Sequence, residues 1–291
     1  MFRDLIEKAE VLVEALPYIR RFHDKTLLIK FGGSVMTDPE LARLFAVDIL
    51  LLRYVGINVV IVHGGGKEIS KWMKKLGKDA VFVDGLRVTD EETLEIGEMV
   101  LSGKINNQIV SLINRNGGPA VGLSGKDAGL FVARKIRSKG GKDLGFVGDV
   151  QSCDVSLIRT LCEKGYVPVV SSVGCDENGE TLNLNADSVA SELASSLGAL
   201  KLIYLTDVMG LLVDGELLPR ADLSGAKELL GSSQISGGML PKLEFSIRAL
   251  EAGVAAVHII NGRVEHAVLL ELFTKVGIGS MLSARLETSV D

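Results

Sequence analysis

The chain of 291 residues has few of the residues from which several kinds of site are built. Its three cysteines, Cys153, Cys162 and Cys175, include no CxxC pair, and the four histidines show no metal-ligand spacing with them. Neither a disulfide framework nor a zinc site is therefore expected. Aromatic residues make up only 5%, the net charge is −5 and no Lys/Arg run forms a basic patch. Nucleic acid is therefore not an expected partner.

Long apolar runs are also missing. No stretch reaches the ~18 apolar residues that a membrane span needs, so no membrane partner is expected. The N-terminus carries Glu7, Glu10 and Glu14 where a signal peptide would have a basic region followed by an apolar one. We therefore expect a soluble cytoplasmic protein.

Two common nucleotide-binding motifs are absent as well. No GxGxxG occurs, which argues against a dinucleotide fingerprint. No GxxxxGK[ST] occurs either, because Gly125-Lys126 lacks the upstream glycine and is followed by Asp127. If this chain binds phosphate, it must do so with loops that differ from these two motifs.

Glycine, by contrast, is abundant: its 33 residues exceed the average share of ~7%. Apolar strands are predicted at residues 26–31 and 58–62, and each runs into a glycine turn, at Gly32-Gly33 and at residues 64–66. Strands alternate with helices along the chain, apart from a hairpin-like excursion between residues 130 and 150. The sequence predicts an α/β fold, a three-layer αβα sandwich around a mainly parallel open sheet with two lobes.

A helical extension is predicted ahead of the first strand. Apolar residues recur at helical spacing from residue 2 to residue 16, and Pro17 interrupts the pattern. Further along, residues 89–92 (Thr-Asp-Glu-Glu) predict a capping box before a long helix to about Ile113. The predicted organisation is an N-terminal oligomerisation helix at 1–24, one lobe at 25–184 and a second lobe at 185–291.

The glycine turns are candidates for an anion site. In open parallel sheets, ligands bind beyond the carboxyl ends of the strands, where glycine exposes backbone N–H groups and a helix N-terminus favours negative charge. One such cluster could equally be a simple tight turn. Two clusters at equivalent strand ends favour the functional interpretation.

Several charged residues stand near these turns. Lys30 ends the first strand and Lys242 follows a further glycine turn, so the two lysines could clamp a transferring phosphoryl group. Asp187 opens a helix, where a simple cap is the alternative role. Arg87 could hold a carboxylate through two parallel hydrogen bonds, or form a surface ion pair. His63 invites a general-base role, but a packed histidine at a strand end is the favoured interpretation.

Taken together, these segments resemble the amino acid kinase family, and within it the enzymes that phosphorylate N-acetyl-L-glutamate. The resemblance covers nearly the whole chain and depends on the order and spacing of segments that are weak individually. They are IKFGGS (29–34), VHGGG (62–66), GLRVT (85–89), NLNAD (183–187), LTDVMG (205–210), GGMLPK (237–242) and HIING (258–262). One departure is Gly237, where some relatives carry aspartate, and we expect little effect from it.

The resemblance implies ATP-dependent phosphorylation of the side-chain carboxylate of N-acetyl-L-glutamate, giving N-acetyl-L-glutamyl 5-phosphate in arginine biosynthesis. It implies acetylglutamate in the N-terminal lobe and ATP with Mg²⁺ in the C-terminal lobe. Lys30 and Lys242 match the lysines that stabilise the transferring group, and Asp187 matches the aspartate that orients them. Acetylglutamate contacts match Gly65, Gly66, Arg87 and Asn183. Nucleotide-binding positions match Gly32, Gly33, Asp207, Val208, Met209, Gly210, Leu211, Leu212, Gln234, Ile235 and Ser236.

Two other functions stay open. The acceptor could be a related molecule, such as acetylaminoadipate, carbamate, glutamate or UMP. The same scaffold could also serve as a non-catalytic amino-acid sensor, although Lys30, Lys242 and Asp187 are all present. A carboxylate acceptor suits the absence of a catalytic base, because its reference pKa of ~4.3 leaves it ionised at neutral pH.

The N-terminal helix carries a further implication. Its apolar stripe must be buried on its own body or on another subunit, and periodicity alone does not decide between the two. By resemblance, enzymes with this extension are arginine-inhibited hexamers, built as trimers of dimers with interlaced N-terminal helices. Arginine is then expected beside this helix. The candidate arginine contacts are Tyr18, Lys201, Glu271, Gly277 and Gly279.

Overall fold

The computed structural model describes residues 2–36, 38–235 and 237–285. The helices are α1 (Phe2–Phe22), α2 (Pro39–Tyr54), α3 (Gly66–Lys75), α4 (Glu91–Glu98), α5 (Asn106–Arg115), α6 (Ser156–Glu163), α7 (Ala186–Leu197), α8 (Leu223–Leu230), α9 (Met239–Glu251) and α10 (Ala267–Phe273). The strands are β1 (Thr26–Phe31), β2 (Asn58–His63), β3 (Phe82–Val83), β4 (Leu86–Arg87), β5 (Ala120–Leu123), β6 (Phe131–Arg137), β7 (Asp143–Cys153), β8 (Val167–Ser171), β9 (Val173–Cys175), β10 (Thr181–Leu184), β11 (Lys201–Thr206), β12 (Leu212–Val213), β13 (Glu216–Leu217), β14 (Arg220–Asp222), β15 (Ala256–Asn261) and β16 (Ser280–Ser283).

A sheet of eight strands forms the middle layer of the described residues, in the order β14-β16-β15-β11-β1-β2-β8-β5. Its pairs are parallel except at one edge, where β16 runs antiparallel to β15, and β14 is parallel to β16. At the centre, Lys30 on β1 is in register with Val62 on β2 and with Tyr204 on β11. The carboxyl ends of β1, β2 and β11 therefore lie side by side.

Alternate residues of the central strand face two separate apolar cores. Leu27 and Ile29 pack in one core with α2, α5 and α10, whereas Leu28 packs in the other with α7, α8 and α9. Because helices cover both faces, the central strands carry continuous apolar runs rather than alternating ones. The predicted three-layer αβα sandwich around a mainly parallel sheet is confirmed.

Beside the sheet, β6, β7, β9 and β10 close into a small barrel. Strands β6 and β7 are the hairpin predicted between residues 130 and 150. The sequence does not predict β9 and β10, because strands of three and four residues carry too little pattern. Strand β10 carries Asn183 and leads directly into α7, so the barrel is joined to the turn that presents Asp187.

Pro17 interrupts the apolar pattern of the N-terminal segment but not the helix, because α1 continues to Phe22. The last turn of α1 packs on α10, where the rings of Tyr18 and Phe22 lie 6.3 and 6.4 Å from the ring of Phe273. The earlier turns of α1 are exposed. The buried ring of Phe22 and the partly buried ring of Tyr18 therefore anchor the end of α1 beyond the proline.

The predicted capping box at residue 89 is wrong by one position. Asp90 caps α4, and its side chain accepts a hydrogen bond of 2.9 Å from the N–H of Thr93. Thr89 instead stays extended and its hydroxyl donates to the carbonyl of Arg87. The long helix predicted to follow is also not uniform, because residues 99–105 form a π-helical segment between α4 and α5.

Candidate active site

Turns rich in glycine follow the central strands at the carboxyl end of the sheet. Gly32 and Gly33 follow β1, residues 64–66 follow β2, and Asp207 follows β11. A Cβ added at Gly32 would lie 2.8 Å from Nζ of Lys30, and one at Gly33 would lie 2.5 Å from Oδ1 of Asp207. Gly33 also has a φ of +73°. The backbone conformation of Gly33 therefore favours glycine, and the absence of a side chain at both positions leaves space for Lys30 and Asp207.

Asp187 brings the two predicted lysines together. It lies in the first turn of α7, which Asn185 caps by accepting a 2.8 Å hydrogen bond from the N–H of Asp187. Nζ of Lys30 lies 2.9 Å from Oδ1 of Asp187, and Nζ of Lys242, in the first turns of α9, contacts Oδ2. Only 10% of the Asp187 side chain is exposed. One buried carboxylate thus holds two ammonium groups side by side.

The charges of these three residues depend on one another. Burial alone would raise the pKa of Asp187, but the charges of Lys30 and Lys242 lower it to about 2. Burial lowers the pKa of Lys242, and the attraction to Asp187 opposes that shift. The partial positive charge at the start of α7 also favours the ionised carboxylate. Asp187 is therefore a permanent anion at neutral pH.

The residues predicted to bind the acceptor are connected by hydrogen bonds. The guanidinium of Arg87 is buried and donates to the carbonyl of Gly66 at 2.8 Å and to the hydroxyl of Ser70 at 2.9 Å. Asn183 donates to the hydroxyl of Thr89, which in turn donates to the carbonyl of Arg87. Burial lowers the pKa of Arg87. The surface ion pair considered for Arg87 is therefore wrong, because the side chain is buried against the glycine turn.

The segment after β11 contains most of the predicted nucleotide positions. Asp207 forms an ion pair of 3.1 Å with Lys67 of α3, a lysine that the sequence does not single out. Val208 and Met209 are exposed, which leaves their side chains accessible to a ligand. Beyond them, the predicted positions continue through Gly210 and Leu211 to Leu212 on β12.

Some of the other predicted nucleotide positions are buried, and some lie at residues 234–236. Leu211 and Ile235 are buried, so any nucleotide contact from them would involve the backbone. Gln234 donates a 2.8 Å hydrogen bond to Asp214, at the tight turn between β12 and β13. Ser236 lies outside the described residues. The hydrogen bond from Gln234 therefore links its loop to the β12–β13 hairpin, which follows residues 207–211.

The residues predicted to bind arginine cluster around a buried histidine that the sequence does not single out. Nζ of Lys201 donates to Nε2 of His258 at 2.7 Å, and Nδ1 of His258 donates to Glu271 at 2.5 Å. A Cβ at Gly277 would lie 2.8 Å from Oε2 of Glu271. The one available signal for His258 was its position inside an otherwise apolar strand.

The remaining arginine candidates border this cluster. Tyr18 packs on Phe273, two residues beyond Glu271 on α10. Gly279 approaches the backbone of Ile259, next to His258. Burial is the largest influence on the pKa of Glu271 and would raise it, but His258, the N–H of Ile278 and the charge of Lys201 together hold the pKa below its ordinary value. The cluster therefore presents a buried anion beside the end of α1.

His63 is a buried, hydrogen-bonded side chain and does not act as a general base. It is fully buried, its Nδ1 lies 3.0 Å from the carbonyl of Gly64, and its Nε2 lies 3.2 Å from the amide of Asn106. Burial lowers the pKa of His63 to about 4. A ring enclosed in this way cannot take a proton from a substrate in the crevice, so the general-base role is wrong.

Among residues 2–36, 38–235 and 237–285, no group of three or more His, Cys, Asp or Glu side chains could hold a metal ion. A Mg²⁺ ion that arrives on a nucleotide commonly keeps waters and takes phosphate oxygens with only one or two carboxylates, and the carboxylate of Asp207 lies beside the Gly32-Gly33 turn. In the same described part of the chain, no helix has the length and apolar character to cross a bilayer.

Comparison with known proteins identifies the class. The model of the amino acid kinase family matches residues 25–261, and the chain belongs to this family. An acetylglutamate kinase from Caldanaerobacter subterraneus subsp. tengcongensis is 52% identical over 285 residues, which are 97% of this chain and 95% of the relative. The acetylglutamate kinase of Thermoanaerobacter pseudethanolicus is 50% identical over the same shares. The family resemblance and the expectation of a kinase are confirmed.

Among solved structures, an N-acetylglutamate synthase from Neisseria gonorrhoeae, complexed with coenzyme A and N-acetyl-glutamate, aligns with a TM-score of 0.85. It is 28% identical and the alignment covers 95% of this chain, but this chain spans only 63% of the synthase. The synthase from the same source complexed with coenzyme A and L-arginine aligns with a TM-score of 0.82, also at 28% identity, and this chain spans 65% of it.

We predict that Asp187→Asn lowers the free energy of unfolding by about 3 kcal/mol at neutral pH, because two buried ammonium groups lose their counter-charge. The pKa of Asp187 in the folded chain, about 2, lies below its ordinary value of 3.8. The stabilisation by the carboxylate is therefore complete above the ordinary value and is lost as the pH falls towards about 2. Urea unfolding of both proteins over this range should show the difference shrinking as the pH falls.

A matched control is Glu192→Gln on the same helix, which removes an ion pair with the half-exposed Arg248. Exposed pairs contribute roughly 0–1 kcal/mol, so this variant should stay close to the wild type. A deficit for Asp187→Asn that is the same at neutral and acidic pH would contradict the charge explanation.

Proposed function

We propose that this chain transfers the γ-phosphoryl group of ATP to the side-chain carboxylate of N-acetyl-L-glutamate, forming N-acetyl-L-glutamyl 5-phosphate for arginine biosynthesis. The observation that carries the proposal is the pair of ammonium groups that Asp187 holds between the glycine turns. Two relatives named acetylglutamate kinase, each at least 50% identical over 97% of this chain, support the choice of acceptor. A cytoplasmic location, where ATP is supplied, is part of the same proposal.

The protein contributes to the reaction mainly by aligning the two substrates and by stabilising negative charge on the transferring group. An oxygen of the acceptor carboxylate forms a bond to the γ-phosphorus, while the bond from that phosphorus to the β–γ bridging oxygen breaks and ADP leaves. The carboxylate is already ionised, so no base is required. Lys30 and Lys242 stabilise the negative charge on the transferring oxygens, and Asp187 keeps both lysines in place.

The two halves of the chain divide the binding. Residues 25–184 hold acetylglutamate at Gly65, Gly66, Arg87 and Asn183, where Arg87 shapes the glycine turn. Residues 185–291 hold ATP around residues 207–212 and at residues 234–236, and the Gly32-Gly33 turn of the first half adds to this nucleotide site. Mg²⁺ enters with the nucleotide, and when bound it neutralises charge on the phosphates. The close approach of the Asp207 side chain to Gly33 supports placing both residues in one nucleotide site.

The direct test measures ADP formation with a panel of acceptors at equal concentration. We expect turnover with N-acetyl-L-glutamate, and much less with acetylaminoadipate, glutamate, carbamate or UMP. The product should react with hydroxylamine, as an acyl phosphate does. A preference for acetylaminoadipate would reassign the acceptor, and binding of amino acids without any ADP formation would show a non-catalytic sensor.

Removal of either lysine should affect turnover far more than acceptor binding. We expect Lys30→Ala and Lys242→Ala each to lower kcat by ~10²–10³, because each ammonium acts on charge that develops during transfer. Steady-state kinetics supply kcat, and calorimetric titration supplies the acetylglutamate affinity. Lys227→Ala is the control, since Lys227 forms a half-exposed ion pair with Glu251 instead. Near-normal turnover in either active-site variant would remove that lysine from the mechanism.

We further propose that the enzyme is a hexamer, a trimer of dimers with interlaced α1 helices, and that arginine inhibits it. Support comes from the exposed apolar side chains of α1, since such a surface favours burial against another subunit. They are Phe2, Leu5, Ile6, Val11, Leu12, Val13 and Leu16. The buried anion Glu271 suits a guanidinium, and the synthase complexed with arginine lends support. Inhibition then requires arginine to favour one of two conformations.

Deletion of residues 1–16 separates assembly from catalysis. It removes the exposed apolar residues and leaves Tyr18 and Phe22 packed on Phe273. We expect an active dimer that arginine inhibits weakly or not at all. Light scattering and an arginine titration of both proteins measure this, and a full-length dimer or a truncated enzyme with unchanged inhibition would refute the proposal.

A further inference from the structure

His63, the last residue of β2, makes hydrogen bonds that the proposed reaction does not use. A carbonyl oxygen only accepts, so the 3.0 Å contact between Nδ1 of His63 and the carbonyl of Gly64 places the ring proton on Nδ1. Nε2 then carries a lone pair, which accepts from the Asn106 amide at 3.2 Å. Burial keeps the ring neutral, because it lowers the pKa of His63 to about 4. Its two hydrogen bonds therefore fix the orientation of the ring.

Asn106 is itself fixed by the sheet and by its helix. Its amide also donates to the carbonyl of Val169 on β8 at 2.8 Å. Asn106 is the first residue after the π-helical segment. Two side chains of that segment, Leu101 and Ile105, occupy the space where a Cβ at Gly65 would lie. Short π-helical stretches are often found at functional sites. The segment thus contacts the glycine turn directly and also through His63.

The consequence for the turn follows from peptide geometry. In a planar trans peptide, the C=O of one residue and the N–H of the next point in opposite directions. Because His63 holds the carbonyl of Gly64 on the buried side, the N–H of Gly65 is directed away from the ring. Among the described groups, the N–H of Gly65 has no hydrogen-bond partner, while the carbonyl of Gly65 accepts from Ile69 in α3.

We propose that His63 and Asn106 form a buried positioning pair that orients the Gly64–Gly65 peptide, so that the N–H of Gly65 is aimed at the acceptor. This inference rests on the proposed function, since acetylglutamate is the ligand that Gly65 would bind. Misalignment of the turn would weaken acceptor binding and leave the nucleotide side of the crevice unaffected.

The test compares His63→Leu with His63→Asn. Leucine removes the donor to Gly64, whereas the amide of asparagine can occupy the place of Nδ1 and donate to the same carbonyl. We expect His63→Leu to raise the KM for acetylglutamate on the order of tenfold, because a small misplacement of a binding group is costly. The KM for ATP should change by less than about twofold. His63→Asn should recover most of the loss.

A purely structural role would act differently: it would lower the active fraction and the melting temperature, with both KM values unchanged. Asn106→Ala is the second variant, for use if His63→Leu does not fold, and it should raise the same KM in the same direction. Equal defects in His63→Leu and His63→Asn, or a rise in the KM for ATP alone, would overturn the positioning role. A wild type without acetylglutamate turnover would instead overturn the proposed function, and this inference with it.

Discussion

The site depends on one electrostatic constraint, the buried carboxylate of Asp187 between the ammonium groups of Lys30 and Lys242. Two like charges held side by side in a poorly solvated site repel each other. Without the carboxylate, this repulsion would push the two lysines apart. With it, they stay close together, and in the proposed reaction they can stabilise a phosphoryl group without rearrangement.

The fold supplies this constraint through three elements that meet at one end of the sheet. Lys30 is the last residue but one of β1, Asp187 is the second residue of α7, and Lys242 lies in the first turns of α9. The helix cap at Asn185 and the hydrogen bond from the hydroxyl of Tyr204 to the carbonyl of Asp187 fix the first turn of α7. Glycine on the facing turns leaves room for a ligand, because a side chain at Gly32 would meet Lys30.

Sequence patterns predict the strands whose burial leaves a continuous apolar run in the sequence. β1 has the predicted bounds and β2 extends one residue beyond the predicted 58–62, because helices cover both faces of these strands and their apolar runs are uninterrupted. The antiparallel edge strand β16 and the closure of the barrel by β9 and β10 are not predicted, since each depends on pairing between distant segments of the chain. The π-helical segment is not predicted either. The same reason applies to His258, which acquires its partners, Lys201 and Glu271, only when the chain folds.

The most direct test of the two-lysine site measures how tightly the protein binds a mimic of the transferring group. Calorimetry with ADP, aluminium fluoride and acetylglutamate reports this affinity, because the fluoride complex resembles a phosphoryl group in transit. We predict that the wild type binds the ternary mixture at least about 10²-fold more tightly than Lys242→Ala does, while both bind ADP alone equally well. Equal affinity of the two proteins for the ternary mixture would contradict the account.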